Sequence, residues 1–461
     1  MQRAFCRTDF ALEPAGRKPA AIVATKERNM IEDRIEVNIA GGLDIPLPPM
    51  AAVRQKFATT RVDDIAAAVA REFERPEIRA SIRKGARIAV GCGSRGVANY
   101  AQIARAVIAG IKALGGEPFV FPAMGSHGAA TAEGQRQVLE GAGITEDYVG
   151  APIRASMDTI EAGRLADGTP VHADAIAAAA DGIVLINRIK PHTTFRGHIE
   201  SGITKMLTIG MGKIKGAAQL HTHGMDRFPT VLPQAANVVM ARLPFLFGVA
   251  AVENAHEDTA LIECIPAARL LAREPELLAQ AKDWMARLYF DQIDVLIIDE
   301  MGKEISGTGF DPNVTGRNKR FVDWPGGPVI KKIAVLSLTE RTHGNATGVG
   351  SADIITMRLF RAIDIGPTYA NCITSTFLDS AAIPMIMNTD REAVQLAVKT
   401  VLRVKPADAR VVHIRNTLEL QRIRVSAPLL AEVRRQPERF EILSEPAPWV
   451  FGADGSLAKL G

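Results

Sequence analysis

Four histidines and one lysine stand where they could do chemistry: His127, His192, His221 and His223, with Lys205 among them. The densest stretch, Asp181 to Met225, holds four of the chain's nine histidines beside a Ser201-Gly202-x-x-Lys205 turn. Lys205 follows His192 by thirteen residues, and His221 follows Lys205 by sixteen. Such a set could hold a metal, serve as acid and base, or do neither. There is no His-Glu-x-x-His, no carboxylate-rich loop and no cysteine pair, so a zinc site of the usual spacing is not supported. Imidazole also suits nickel, and a lone histidine ligand then needs a cofactor to supply the remaining donors.

The elements that must position these residues read as α/β. The run Gly182 to Ile186 is a short apolar strand, and Pro191 ends its ladder so that the following loop presents His192. Upstream, Ala86 to Val90 reads as a strand, Gly91 to Gly96 as a turn, Asn99 to Leu114 as a helix and Pro118 to Pro122 as a second strand. That is a βαβ unit, which predicts parallel pairing with a right-handed crossover. Its second strand delivers Ser126-His127-Gly128, so His127 and His192 both follow carboxyl ends of strands, where open α/β sheets bind their ligands.

The turn Gly91-Cys92-Gly93-Ser94-Arg95-Gly96 fits G-x-G-x-x-G between strand and helix. No acidic residue ends the next strand to hold a ribose, so the dinucleotide reading lacks its support and two readings survive: an anion anchored by backbone N–H groups and Arg95, or a tight turn. Lys213 and Lys215 follow Lys205, so a solvated basic stripe is an alternative, although Gly202 and the apolar Met206 to Met211 make the Lys205 turn read as enclosed. His198 reads as a loop residue, and His172, His256 and His413 as structural ones. Met206 and Met211 read as packing.

Along the rest of the chain, Ile31 to Ile39 alternates as a half-buried strand and Val62 to Glu74 has a helical pattern. Pro244 to Val252 and Val295 to Asp299 read as strands, with helical patterns between them from Ala267 to Tyr289. The long Gly-rich loop after Asp299 carries Lys303, Asp311, Asn313 and Arg317, and loops of that length in compact domains tend to be functional. A second module follows, with strands Ile333 to Leu338 and Ile383 to Met387 and helices Ser351 to Ile365 and Asp390 to Val401. His343 lies at another strand end. The expected organisation is a loose tail 1–30, a first α/β domain 31–290, a second 291–407, and a segment 408–461 returning to the first, with mainly parallel sheets and the site in the cleft between the modules. A hinge near Asp291 and Ala407 would let the two close.

Composition sets the outer bounds. The 461 residues are 47% apolar, enough for two or three cores. Residues 1–30 hold six Lys/Arg and three Asp/Glu, so they account for most of the net charge of +4, and no nucleic-acid footprint remains. Cys6, Cys92, Cys264 and Cys372 are far apart, which points to a reduced, cytoplasmic compartment. The tract from Phe228 to Val252 is broken by Pro233, Gln234, Asn237, Arg242 and Pro244 and is not a membrane span.

From Ile88 to His221 the order and spacing of these residues resemble the nickel-pincer lactate racemase family: an arginine-bearing first loop, a Thr-His-like loop in Met124-Gly-Ser-His127, a Pro191-His192, a Gly202-x-x-Lys205 turn and a downstream His221. The resemblance implies a nickel ion held by a modified nicotinic acid mononucleotide, a pyridinium bisthiocarboxylic acid tethered to lysine. Residue by residue it implies Lys205 as tether, His221 as nickel ligand with His223 as its competitor, His127 and His192 as acid and base, and Arg95, Gly93 and Ser94 at the cofactor or substrate anion. It further implies an isomerase acting on a 2-hydroxy acid, served by accessory proteins that make the cofactor, in a chain able to form oligomers. Here Cys92 replaces the acidic residue of the first loop, and Lys303 is the nearest cation to the family's second-module pair. Lys303, Arg317 and His343 would then meet a larger or more polar substrate. The other function classes are the nicotinamide-dependent oxidoreductase and a non-catalytic anion-binding relative.

Overall fold

The computed structural model describes residues 34–94, 96–318, 324 and 326–460. Residues through Asn38 form a unit of their own, whose described part, 34–38, has no regular structure. The expected tail 1–30 lies outside the described residues, and the expected strand Ile31 to Ile39 forms no ladder over 34–39. Alternation alone does not make a strand: it must find an edge to pair with.

From Ile39 onward the chain builds two sheets, entering the second before completing the first. It forms β1 (Met50–Gln55), β2 (Arg87–Cys92), β3 (Glu117–Pro122), a hairpin of β4 (Thr159–Arg164) and β5 (Pro170–Asp174), then β6 (Gly182–Arg188), β7 (Phe245–Glu253) and β8 (Thr259–Pro266). After these come β9 (Gln292–Ile298), β10 (Val329–Val335), β11 (Ile354–Thr356), β12 (Met385–Met387), β13 (Val411–Ile414), β14 (Arg422–Ser426) and β15 (Phe440–Ile442).

The first sheet runs β3-β2-β6-β7-β8, parallel except for the β7–β8 pair. Its strands are buried on both faces, which is why they read as unbroken apolar runs. Ile88, Val90, Val184 and Ile186 face the helices Ile65–Glu74 and Tyr100–Ala113. Ala89, Ile183 and Leu185 face the opposite way, onto helices Phe228–Arg242 and Leu270–Trp284. Sequence order reverses between β2 and β6, so the crevice at their carboxyl ends is the topological switch point.

The second sheet runs β12-β11-β10-β9-β13-β14-β1-β15. It is parallel from β12 to β13 and antiparallel beyond. The segment 408–461 therefore does not return to the first sheet. All four residues of β13 are buried, and the strand is satisfied only between β9 and β14, pairing Val411 with Val295 and His413 with Ile297. The strand that crosses between modules is β1, from inside the expected first domain. The expected helix Ser351 to Ile365 also divides: the β-branched Ile354-Ile355-Thr356 pairs with β10 and β12, and Thr356 then caps a helix Met357–Ala362 through Leu359 N–H at 3.1 Å. Among the described residues, no helix is long and apolar enough to cross a membrane.

The loop after β9 is pinned by the second sheet. Gly348, at φ +100°, donates its N–H to Ser380 O at 2.9 Å, and its Cα faces the Thr308 carbonyl. An alanine there must adopt a left-handed backbone and push its Cβ into that carbonyl. Gly348→Ala should cost about 1–3 kcal/mol or more in urea unfolding, and an unchanged midpoint would show that the turn relaxes freely.

Candidate functional site

A cavity of about 700 Å³ opens at the carboxyl ends of the first sheet's parallel strands. Gly93 and Ser94 line it from the loop after β2, His127 from the loop after β3, and His192 and Lys205 from the chain after β6. Lys303, from the loop after β9, closes it on the side of the second sheet.

The β6 end is built first. Pro191 stops the ladder, and an isolated bridge, Lys190 N–H to Ser201 O at 2.9 Å and Ser201 N–H to Lys190 O at 3.2 Å, ties off the loop between them. Inside this loop the His192 ring stacks on Phe195 at 4.3 Å. Its Nδ1 accepts from the Thr194 N–H at 3.1 Å and lies 2.9 Å from the Thr194 hydroxyl. A backbone N–H can only donate, so Nδ1 carries the lone pair and Nε2 the proton of the neutral ring. Nε2 lies 2.7 Å from Lys205 Nζ. A protonated nitrogen needs an acceptor there, so this contact is a hydrogen bond when Lys205 is the free amine.

Lys205 ends the short helix Ile203–Lys205, which continues as a π turn, Met206–Gly210. π turns inside helices frequently mark functional sites. Beneath it lies Glu274, 1% exposed, whose carboxylate accepts from Thr204 N–H at 2.9 Å and Thr204 Oγ1 at 2.7 Å. Its other oxygen is buried with no hydrogen-bond partner among the described residues, and it lies against the Gly202 Cα, where a Cβ would collide. Burial pushes the Glu274 carboxyl up to about 7, partly offset by the two Thr204 bonds.

His127 is held by Met124 O, which accepts from its backbone N–H at 3.1 Å and its Nδ1–H at 2.8 Å. This tautomer leaves the ring's lone pair on Nε2. A buried polar network braces the loop. Gln135 donates to Gly125 O at 2.9 Å and His127 O at 3.3 Å, and accepts from Lys213 Nζ at 3.0 Å. Lys213 is fully buried, pairs with Asp174 at 3.0 Å and donates to Pro122 O at 2.5 Å, so it is not part of a solvated stripe. Burial lowers its pKa and Asp174 opposes the shift.

His221 donates Nδ1–H to Ala217 O, leaving its lone pair on Nε2. Its ring is not in the cavity wall; it meets Phe228 at 5.1 Å, which meets Phe195 at 5.5 Å. Desolvation lowers its pKa, and Lys205 is near enough to lower it further electrostatically. His223 turns instead toward Asp167, at 3.7 Å. His198 is exposed.

The residues expected to meet the substrate separate. Lys303 lines the cavity and bonds Asn371 Oδ1. Arg317 does not reach the cavity, because its guanidinium is spent on the Asp353 carboxylate and on Ile330 O and Lys331 O at 2.7 and 3.1 Å. His343 is exposed and away from the cavity, ending a 3₁₀ turn at φ +49°. Arg95 lies outside the described residues. Among the described residues, the acidic Glu253, Glu257 and Glu304 line the cavity too, and so do the cations Arg188 and Lys190. Both stand at the end of β6, a position the apolar run and its proline already marked.

The Gly91–Gly96 turn is occupied by the protein itself. Gly93 N–H donates to Tyr100 OH, and Ala98 N–H, just before the helix Tyr100–Ala113, donates to the Glu253 carboxylate at 2.8 Å. Glu253 also pairs with Arg188. The Ala98 N–H before this helix is thus spent on a carboxylate of the protein. Cys92 is buried, which pushes its thiol up to about 12. Among the described residues, no three His, Cys, Asp or Glu side chains cluster as metal ligands.

No protein-family model and no curated protein matches the chain. Among solved structures, a structural-genomics crystal structure of a Thermotoga maritima protein is similar at 14% identity and a TM-score of 0.42, over 59% of this chain and 69% of that one. The lactate racemase apoprotein from Thermoanaerobacterium thermosaccharolyticum is similar at 12% identity and a TM-score of 0.44, over 80% of this chain and 93% of that one. Likenesses this distant carry no statement about activity.

The raised Glu274 pKa has a signed consequence for stability. Folding favours the protonated carboxyl, so its contribution is complete below about 4.5, falls as pH rises toward about 7, and is flat above. Glu274→Gln should therefore gain stability relative to wild type across that window, by up to about 1.4 kcal/mol per pH unit. Urea unfolding at a series of pH values measures it, and a difference independent of pH would refute the shift.

Proposed function

We propose that this protein is a racemase or epimerase of a 2-hydroxy acid that works with a lysine-tethered nickel-pincer nucleotide. The observation that carries the reading is the 2.7 Å contact of Lys205 Nζ with His192 Nε2 in the wall of a cavity that His127 also lines. The residue types fit such a group. An uncharged amine is the form of lysine that can be acylated, and His221, exposed at the surface, has its donor pair on Nε2. Lys205 would be the tether and His221 the protein ligand; when bound, the group would supply an electron-poor ring able to accept a hydrogen as hydride.

The chain's own residues would do the rest. Lys190 and Lys303 would meet the substrate's carboxylate, while Arg188 is paired with Glu253, and Glu257 and Glu304 share the lining. His127, with its lone pair on Nε2, is ready to take a hydroxyl proton. His192 presents Nε2–H and is ready to give one. Two histidines on separate loops answer the need to treat both hands of the substrate. Phe195 and Phe228, each 1% exposed, back His192 with an apolar wall that excludes water.

Peptide mass spectrometry of protein from a nickel-replete host that makes the pincer tests this reading. Lys205 should carry the added mass, and chiral chromatography should show racemisation of a 2-hydroxy acid that Lys205→Ala abolishes. Racemisation by protein whose Lys205 is unmodified would contradict it. His127→Asn and His192→Asn should each lower kcat by about 10²–10⁴-fold, and undiminished turnover in either would remove that histidine from the chemistry.

A further inference from the structure

The backbone of His192 is held from both sides by side chains. Its N–H donates to Glu200 Oε2 at 2.7 Å, and its carbonyl accepts from Arg196 at 2.8 Å and from Asn313 Nδ2 at 3.3 Å. Glu200 is 1% exposed and is neutralised by Lys282 at 2.6 Å and Arg196 at 3.2 Å. The Asn313 amide has a forced orientation. Its Nδ2 and its backbone N–H both donate to Asp311 Oδ1, at 2.7 and 2.8 Å, so its Oδ1 faces Arg196 and accepts from it. Arg196 in turn lies 3.8 Å over the Trp324 ring. Asn318 Nδ2 takes the next carbonyl, Thr193 O, at 2.8 Å.

Arg196 and Glu200 belong to the His192 loop, whereas Asp311, Asn313 and Asn318 belong to the segment between β9 and β10 of the second sheet. The geometry points to Asn313 as a positioning residue through which the second sheet sets the His192 ring, with Arg196 and Glu200 completing the clamp. The Thr194 N–H reaches His192 Nδ1 only while the peptides at 192 and 193 keep their orientation, and that bond selects the tautomer facing Lys205. A displacement of 311–318 thus changes which nitrogen of His192 bears the proton. The functional part of this inference rests on the acid–base role given to His192 above.

The full chain, labelled with ¹⁵N-histidine, tests it by two-bond ¹H–¹⁵N correlation spectra, the His192 signals being assigned by their loss in His192→Asn. Wild type should show one neutral tautomer with the proton on Nε2. Asn313→Ala should give signals averaged between tautomers at a melting temperature within a few degrees of wild type, and kcat should fall about tenfold to a hundredfold with KM within about twofold. Glu200→Gln should act in the same direction; should it fail to fold, Asn313→Ala carries the test alone. Unchanged His192 signals in Asn313→Ala would overturn the proposal, as would a loss of turnover matched by loss of folded protein. The spectra need no activity: a protein that racemises no hydroxy acid yet shows the Asn313-dependent tautomer loses the functional reading and keeps the positioning one.

Discussion

Two nitrogens 2.7 Å apart, Lys205 Nζ and His192 Nε2, set the conditions the rest of the structure meets. Neighbouring donors would repel; the Thr194 amide takes the lone pair of Nδ1, leaving Nε2 as a donor that Lys205 accepts when it is the free amine. Holding that arrangement requires fixing two backbones at once. On one side the Lys190–Ser201 bridge and the Glu200 carboxylate close the histidine loop. On the other, Glu274 caps the Ile203–Lys205 turn through Thr204, and Gly202 supplies the close approach that any side chain would block.

The same economy of donors explains the polar groups buried around the cavity. Lys213 is wholly removed from water, and it is tolerated because Asp174, Gln135 and Pro122 O absorb its charge and its protons. Gln135 relays that rigidity to the carbonyls of the His127 loop. Around the first βα turn, the Tyr100 hydroxyl takes the Gly93 N–H and Glu253 takes the Ala98 N–H. The cavity's charges come from side chains of both signs: Arg188, Lys190 and Lys303 stand among Glu253, Glu257 and Glu304.

The strand-to-loop logic of the first sheet was legible because it is local. An apolar run ended by Pro191, and a βαβ unit ended at Met124-Gly-Ser-His127, say where histidines emerge without reference to anything distant. Lys205 could be read as enclosed from Gly202 and the apolar residues after it. What could not be read was pairing at long range. Nothing in Met50–Gln55 says that its edge partners are β14 and β15, or that β13 fits only between β9 and β14. The same limit misassigned single side chains. Arg317 and His343 share a composition with site residues, but Asp353 captures one and a surface turn carries the other. Asn313 and Glu200 looked ordinary because their roles depend on meeting His192 across the fold.

In the proposed reaction, inversion moves the hydrogen on C2 as hydride while histidines handle only the hydroxyl proton. Racemisation of a 2-hydroxy acid in D₂O, followed by mass spectrometry and proton NMR of the product, tests it most directly. The account predicts that the original hydrogen stays on C2 through many inversions and that a C2-deuterated acid racemises more slowly. Deuterium entering C2 from solvent at the rate of racemisation would mean that a protein base removes that hydrogen as a proton, and the account would fail.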